Sequence, residues 1–102
     1  SWGVAAELDA ELPVWLVPRG VDLALLTGAS LDEIEPPDLR VRVVASSGAT
    51  LVAEVIEGVA PYDGETLMVL ERRSAYEVLH RDVCAGARSP CVRLTLAPWP
   101  RR

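Results

Sequence analysis

The residues whose types and spacing could do chemistry lie near the C-terminal end: Cys84, Cys91, His80 and the run Arg88-Ser89-Pro90. Cys84 and Cys91 are the only cysteines, and His80 is the only histidine. The segment Cys84-Ala-Gly-Ala-Arg-Ser-Pro-Cys91 falls between two stretches with strand character, Tyr76–Val83 and Val92–Ala97. A disulfide across it would close the end of a hairpin. The period of two along a strand turns that idea into a register. With Cys84 opposite Cys91, Val83 faces Val92, Asp82 faces Arg93, Arg81 faces Leu94, His80 faces Thr95 and Leu79 faces Leu96. Apolar residues then gather on one face, and the opposite charges Asp82 and Arg93 pair on the other. Arg81 against Leu94 is the misfit, acceptable only where Arg81 lies at a rim. A slip of one residue would set Asp82 against Val92, which is worse. The other reading of the cysteines is a pair of reduced, half-buried thiols. The register favours the disulfide, and a disulfide implies an oxidising, extracytoplasmic or secreted setting.

Arg88-Ser89-Pro90 on such a closed loop presents a basic side chain followed by a small hydroxyl residue. Over these eight residues the segment superficially resembles the reactive loop of Bowman–Birk inhibitors, which also sets a basic residue, then Ser, with Pro nearby, between two cysteines. The resemblance implies inhibition of a trypsin-like serine protease, with Arg88 as the specificity residue. The chain departs from that family in having only two cysteines, a shorter loop and a different Pro placement. An ordinary solvated arginine on a hairpin tip is the competing reading.

Other chemistry is poorly supported. A zinc site needs clustered Cys and His, and His80 has no such neighbours in sequence. His80, several Ser and several Asp would supply a catalytic triad by composition, but nothing has nucleophile-elbow spacing. His80 reads as a surface residue beside Asp82 and Thr95. Gly48, Gly58 and Gly64 fall in separate turns, so no phosphate loop is expected. The acidic groups Glu7, Asp9, Glu11 and Asp32, Glu33, Glu35 lack calcium-loop spacing. Trp2, Trp15 and Trp99 are dispersed and read as packing residues rather than a stacking platform. The expectation is a non-enzymatic domain with no cofactor and no metal. A small ligand-binding barrel or enzyme with a scattered site is a further alternative.

The elements that must carry these residues are mostly short strands. The chain has 102 residues, one domain's worth, and half are hydrophobic. Val4–Leu12 is ambiguous: Val4, Leu8 and Leu12 share a helical face, which favours a short helix or irregular arm, and an edge strand with a polar face is the alternative. Pro13–Pro18 reads as an edge or short strand because of its prolines. Val21–Thr27 follows as a strand. Ser30-Leu-Asp-Glu33 has capping-box form and is stopped by Pro36-Pro37. Leu39–Val43 alternates strictly and returns through a Ser46–Ala49 turn into Leu51–Val59. Pro61-Tyr-Asp-Gly64 is a strong turn signal, followed by Thr66–Glu71. With the two strands flanking the cysteines, the count is about seven. An all-β, two-sheet antiparallel sandwich of immunoglobulin-like type is therefore expected. It is expected to span residues 1–97 as one domain, with 98–102 as an exit segment.

Several strands are apolar on both faces, more than a two-sheet sandwich uses. Val44, Val52, Ile56, Met68 and Leu70 form the surplus and are the interface candidates. They point to a protein partner or to self-association as a homodimer, and so to a module for protein binding or assembly. Val4–Leu12 folding back over them is the alternative. The net charge is −5, and all ten cations are arginines spread along the chain. No nucleic-acid binding is expected from an acidic chain without a basic block. No membrane insertion is expected, as no apolar run approaches the ~20 residues of a spanning helix. Lys, Asn, Gln and Phe are absent, which indicates a very GC-rich coding sequence.

Overall fold

A computed structural model describes residues 8–17, 37–71, 74–84 and 91–99. Among these residues there are six strands and no helix: β1 (Glu11–Val17), β2 (Leu39–Ser47), β3 (Thr50–Gly58), β4 (Thr66–Val69), β5 (Ser74–Val83) and β6 (Val92–Pro98). The alternation in the sequence becomes the core directly. Leu12 and Val14 of β1, Leu39, Val41 and Val43 of β2, and Leu51 and Ala53 of β3 point inward. So do Leu67 and Val69 of β4, Tyr76 and Val78 of β5, and Leu94 and Leu96 of β6. Every strand contributes two or three apolar side chains at a spacing of two, as a half-buried strand should. No charged or polar residue is buried among the described residues.

The strands close into an antiparallel barrel in the order β1-β2-β3-β6-β5-β4, with β4 pairing back onto β1. This corrects the expected two-sheet sandwich. Two meanders, β1-β2-β3 and β4-β5-β6, are joined by the β3–β6 and β4–β1 ladders. The expected strand at Val21–Thr27, the capping box at Ser30–Glu33 and Trp2 lie outside the described residues. Glu11 opens β1 after a turn at Leu8-Asp9, so Glu11 and Leu12 belong to a strand and not to a helix, while residues 4–7 lie outside the described residues.

The first strand is not an edge, and its proline shows why it need not be. β1 pairs with β2 through Glu11–Val14 and with β4 through Val14–Val17, so only Val14 belongs to both ladders. Pro13 thus sits where pairing is one-sided, and its missing N–H leaves no gap in a second ladder. Its carbonyl still accepts the Leu70 N–H at 3.3 Å.

Curvature comes from bulges. Val41 pairs with Val55 and Arg40 with Glu57, so Ile56 has no partner in β2. Val43 pairs with Ala53 and Ala45 with Val52, so Val44 has none in β3. Val78 pairs with Leu96 and His80 with Thr95, so Leu79 has none in β6. An extra residue on one strand bends it and increases its twist, which is how a small sheet is brought round to close. Two of the five interface candidates, Val44 and Ile56, are therefore bulge residues. Along with Val52 they are half-buried. Met68 and Leu70 are covered within the chain itself, without a partner. Met68 is fully buried and Leu70 nearly so, although both lie outside the central core cluster. Met68 is flanked in the sheet by Trp15 of β1 and Ala75 of β5.

On the outer surface one lateral row alternates in sign across five strands. Glu11 pairs with Arg42, Arg42 with Glu54, Glu54 with Arg93, and Arg93 with Asp82. Two of these neighbours form ion pairs, Arg42–Glu11 at 3.7 Å and Arg93–Glu54 at 3.8 Å. Each is exposed enough to contribute about 1 kcal/mol or less. The row's larger effect is on register, since a slip of one strand would bring like charges or core residues opposite one another. At the C-terminal end Pro98 pairs with Tyr76, and the Trp99 N–H donates to the Ala75 carbonyl at 3.0 Å, so the barrel runs past residue 97.

Candidate functional site

The β5–β6 hairpin carries the register that the cysteines imply. Val83↔Val92, Asp82↔Arg93, Arg81↔Leu94 and His80↔Thr95 are all paired, and the Cys84 N–H donates to the Cys91 carbonyl at 2.9 Å. Cys84 and Cys91 are disulfide-bonded, with their Cα atoms 5.1 Å apart. Leu79↔Leu96 is the one pair that fails. The bulge at Leu79 hands Leu96 to Val78. Glu54 lies close to the two sulfurs, the three ligand atoms falling within 4.8 Å of one another. A metal would require thiolates, which the bridged cysteines do not offer. Arg88, Ser89 and Pro90, the proposed inhibitory residues, lie outside the described residues.

The bridge makes a prediction of its own. Without reductant both thiols should resist alkylation in the native protein. Cys84→Ser with Cys91→Ser should leave the barrel folded but lower its unfolding free energy by roughly 2–3 kcal/mol, the chain-entropy value for so short a loop. Mass analysis and a urea titration check the two halves. Readily alkylated thiols would remove the case for an oxidising compartment.

A groove of about 420 Å³ opens beside this hairpin, lined by Tyr62, Asp63, Arg81 and Val83. One wall is the turn that the Pro61-Tyr-Asp-Gly64 pattern anticipates. The Glu65 N–H donates to the Tyr62 carbonyl at 3.1 Å, and the Tyr62 N–H donates to the Glu65 carboxylate at 2.7 Å. Gly64, at φ 88°, takes the left-handed conformation that such a turn needs. The turn is fixed to β5 by Gly64 N–H to the Val78 carbonyl at 2.7 Å and Val78 N–H to the Glu65 carbonyl at 2.9 Å.

The other wall is the C-terminal half of β5. Past the Leu79 bulge, Arg81 and Val83 fall on the inward-facing side of the strand, at the end of the barrel. The Arg81 guanidinium stacks on the Tyr62 ring, its carbon 4.6 Å from the ring centroid. Its Nε is buried and has no hydrogen-bond partner among the described residues. Val83 is 76% exposed and Tyr62 65%, so the groove mixes one cation with apolar surface open to solvent. Asp63 is turned toward His80, whose Nδ1 lies 3.8 Å away, while His80 Nε2 lies 3.5 Å from Asp82. His80 is exposed beside Asp82 and Thr95, as the hairpin register implies.

Sequence reasoning reached Arg81 only as a misfit at a rim and Tyr62 only as a turn residue. The signal for Arg81 was present, a charged residue in register with the fully buried Leu94. Nothing in the sequence pairs Arg81 with Tyr62, which lies in a different connection.

No family model, curated protein or solved structure matches the chain. The reading of this surface therefore rests on its own geometry. No helix of the described residues is long and apolar enough to cross a membrane.

Proposed function

We propose that this domain is a non-enzymatic binding module, presented outside the cytoplasm, that takes a segment of a protein partner in the groove between Tyr62 and Arg81. The observation that carries the reading is the state of Arg81. A guanidinium is stacked on an open aromatic face, in a groove, with its buried Nε unpaired. A buried donor without an acceptor costs about 1–3 kcal/mol, and a ligand that draws the guanidinium outward and supplies the acceptor recovers that cost on binding. Stacked arginine and tyrosine are also the side chains that most often dominate binding energy at protein interfaces. The Cys84–Cys91 bridge supports the extracytoplasmic setting and stiffens the hairpin that carries Arg81.

The protease-inhibitor alternative gains no support here, because Arg88–Pro90 lie outside the described residues. Self-association through the surplus apolar residues is weakened. With Met68 and Leu70 buried, the remaining three are half-buried and two of them serve as bulges.

Panning a library of random short peptides on the purified domain tests the reading. Selected peptides should bind Tyr62→Ala and Arg81→Gln at least about tenfold more weakly, and Arg42→Gln equally well. Peptides indifferent to both groove substitutions, or a library that yields no binder, would remove it.

A further inference from the structure

The groove occupies the line along which β4 would have continued. β4 runs antiparallel to β5 from Val69↔Ser74 to Thr66↔Glu77, and the bonds between Val78 and residues 64 and 65 extend that line by one step. The Tyr62–Gly64 turn then carries the chain off. Beyond Val78, no described residue pairs with β5 on that side.

Which backbone groups face the vacated line follows from the other side of the strand. The Cys84 N–H bonds to β6. In an antiparallel ladder the groups that face a given neighbour recur at every second residue, so Cys84, Asp82 and His80 direct theirs to β6. Arg81 and Val83 direct their N–H and C=O groups the opposite way. Val78 also faces away from β6, and the one-residue bulge at Leu79 accounts for the change of phase between Val78 and Arg81. Arg81 and Val83 are therefore the β5 residues whose side chains line the groove and whose backbone groups open into it. A barrel that closes by hydrogen bonding elsewhere has one short stretch of strand edge here that no described residue pairs, next to a guanidinium whose Nε has no partner among the described residues.

We infer that an extended peptide segment carrying a carboxylate adds as a strand alongside Arg81–Val83, with its carboxylate on the Arg81 guanidinium. This rests on the reading of the groove as the binding site and names what fills it. Main-chain pairing to a free edge supplies affinity, and side chains that alternate along the added strand supply specificity. The added strand's inward-facing side chain lies on the same side of the sheet as Arg81. Asp63 and Asp82 do not preempt that contact, since each carboxylate is directed to His80. Val83 and the open Tyr62 ring offer apolar contact to the neighbouring positions. The charged run His80-Arg81-Asp82 has a competing explanation, as a guard that keeps this edge from pairing at all.

The test is a titration of the isotopically labelled full chain, followed by nuclear magnetic resonance. The probes are soluble, end-capped Thr/Val peptides with one Glu placed at each position in turn, the matching Gln set, sodium acetate and inorganic phosphate. The best Glu peptide should shift the Arg81 Nε–H and the Arg81 and Val83 backbone amides, and slow exchange of those two amides. Its Gln counterpart should bind about tenfold more weakly or worse, and Arg81→Gln should abolish the difference. Four outcomes overturn the inference. Equal binding of Glu and Gln peptides removes the carboxylate. Acetate or phosphate moving Arg81 Nε–H while no peptide moves the Arg81 and Val83 amides reduces the site to a small-anion site. Peptides binding Tyr62 without slowing those amides remove strand addition. Binding of no peptide from either set removes the whole inference and identifies the charged run as a guard. In the first and third cases the peptides still depend on Tyr62, so the groove stands as a binding site. That reading falls separately, through library binders that ignore both groove substitutions.

Discussion

Gly58→Ala is expected to be the most damaging small substitution in the described chain. Gly58 ends β3 at φ +95° and pairs with Leu39 at the start of β2. A Cβ there would sit 2.5 Å from the Asp38 carbonyl oxygen and 2.9 Å from both Cα and Cβ of Leu39. Two costs combine. The left-handed backbone is strained for any side chain, at about 1–3 kcal/mol. The clash is with backbone, which cannot swing aside as the end of a flexible side chain can. Asp38 is also tied on both sides. Its N–H donates to the Val14 carbonyl at 3.1 Å, and its carboxylate accepts the Leu16 N–H at 2.7 Å. Moving it would disturb β1, the strand through which the barrel closes. The total should reach on the order of 4 kcal/mol, in the range where a single substitution is diagnostic. Gly48 and Gly64 provide the controls. Both have positive φ, at 59° and 88°, and neither would bring a Cβ within 4 Å of another group. Their alanine variants should pay only the conformational cost, about 1–2 kcal/mol. Urea titrations of the three variants decide the matter. Equal losses would show that the close approach at Asp38 and Leu39 contributes nothing.

Tyr76→Ala should cost about 3–5 kcal/mol, the value for deleting a large buried aromatic. Tyr76 is 1% exposed and belongs to the central core with Val78, Leu94 and Leu96. A domain of this size has only about 5–15 kcal/mol of stability, so the variant should be partly unfolded at ordinary temperature. The chain's other tyrosine gives the contrast. Tyr62→Ala removes a ring that is 65% exposed and should shift stability by less than about 1 kcal/mol, while binding in the groove weakens. Thermal melts of the two variants, set beside peptide binding by Tyr62→Ala, separate the core from the site. A Tyr62→Ala variant that melts like Tyr76→Ala would mean that the Tyr62–Arg81 stack is structural, and the groove would lose its claim to be a site.

Among the described residues, the sequence by itself determined the six strands, their inward faces and one register. A strand's side chains alternate with a period of two, so Leu39, Val41 and Val43 announce a buried face whatever lies opposite them. The cysteine hairpin was legible further, because one pinned pair propagates register residue by residue. That propagation holds from Val83 to His80 and stops at Leu79, where a bulge inserts a residue that periodicity does not signal. The surplus of apolar residues was legible as a surplus but not in its role. Val44 and Ile56 bend strands, and Met68 is buried.

Only the tertiary structure decided between sandwich and barrel. Both architectures need the same alternation, and what separates them is whether the first strand of one meander meets the first strand of the other. Here Val14 meets Val69 and Val17 meets Thr66, pairings some fifty residues apart in the chain. No local propensity encodes them. They follow from bulges, from the one-sided pairing of Pro13 and from the fit of the whole core. The candidate site was hidden for the same reason. Arg81 belongs to a strand and Tyr62 to a turn in another connection, and each has an ordinary local explanation. Closure sets the Tyr62 ring beneath the guanidinium, and after the early departure of the chain at Gly64 no described residue pairs with the edge of β5 there.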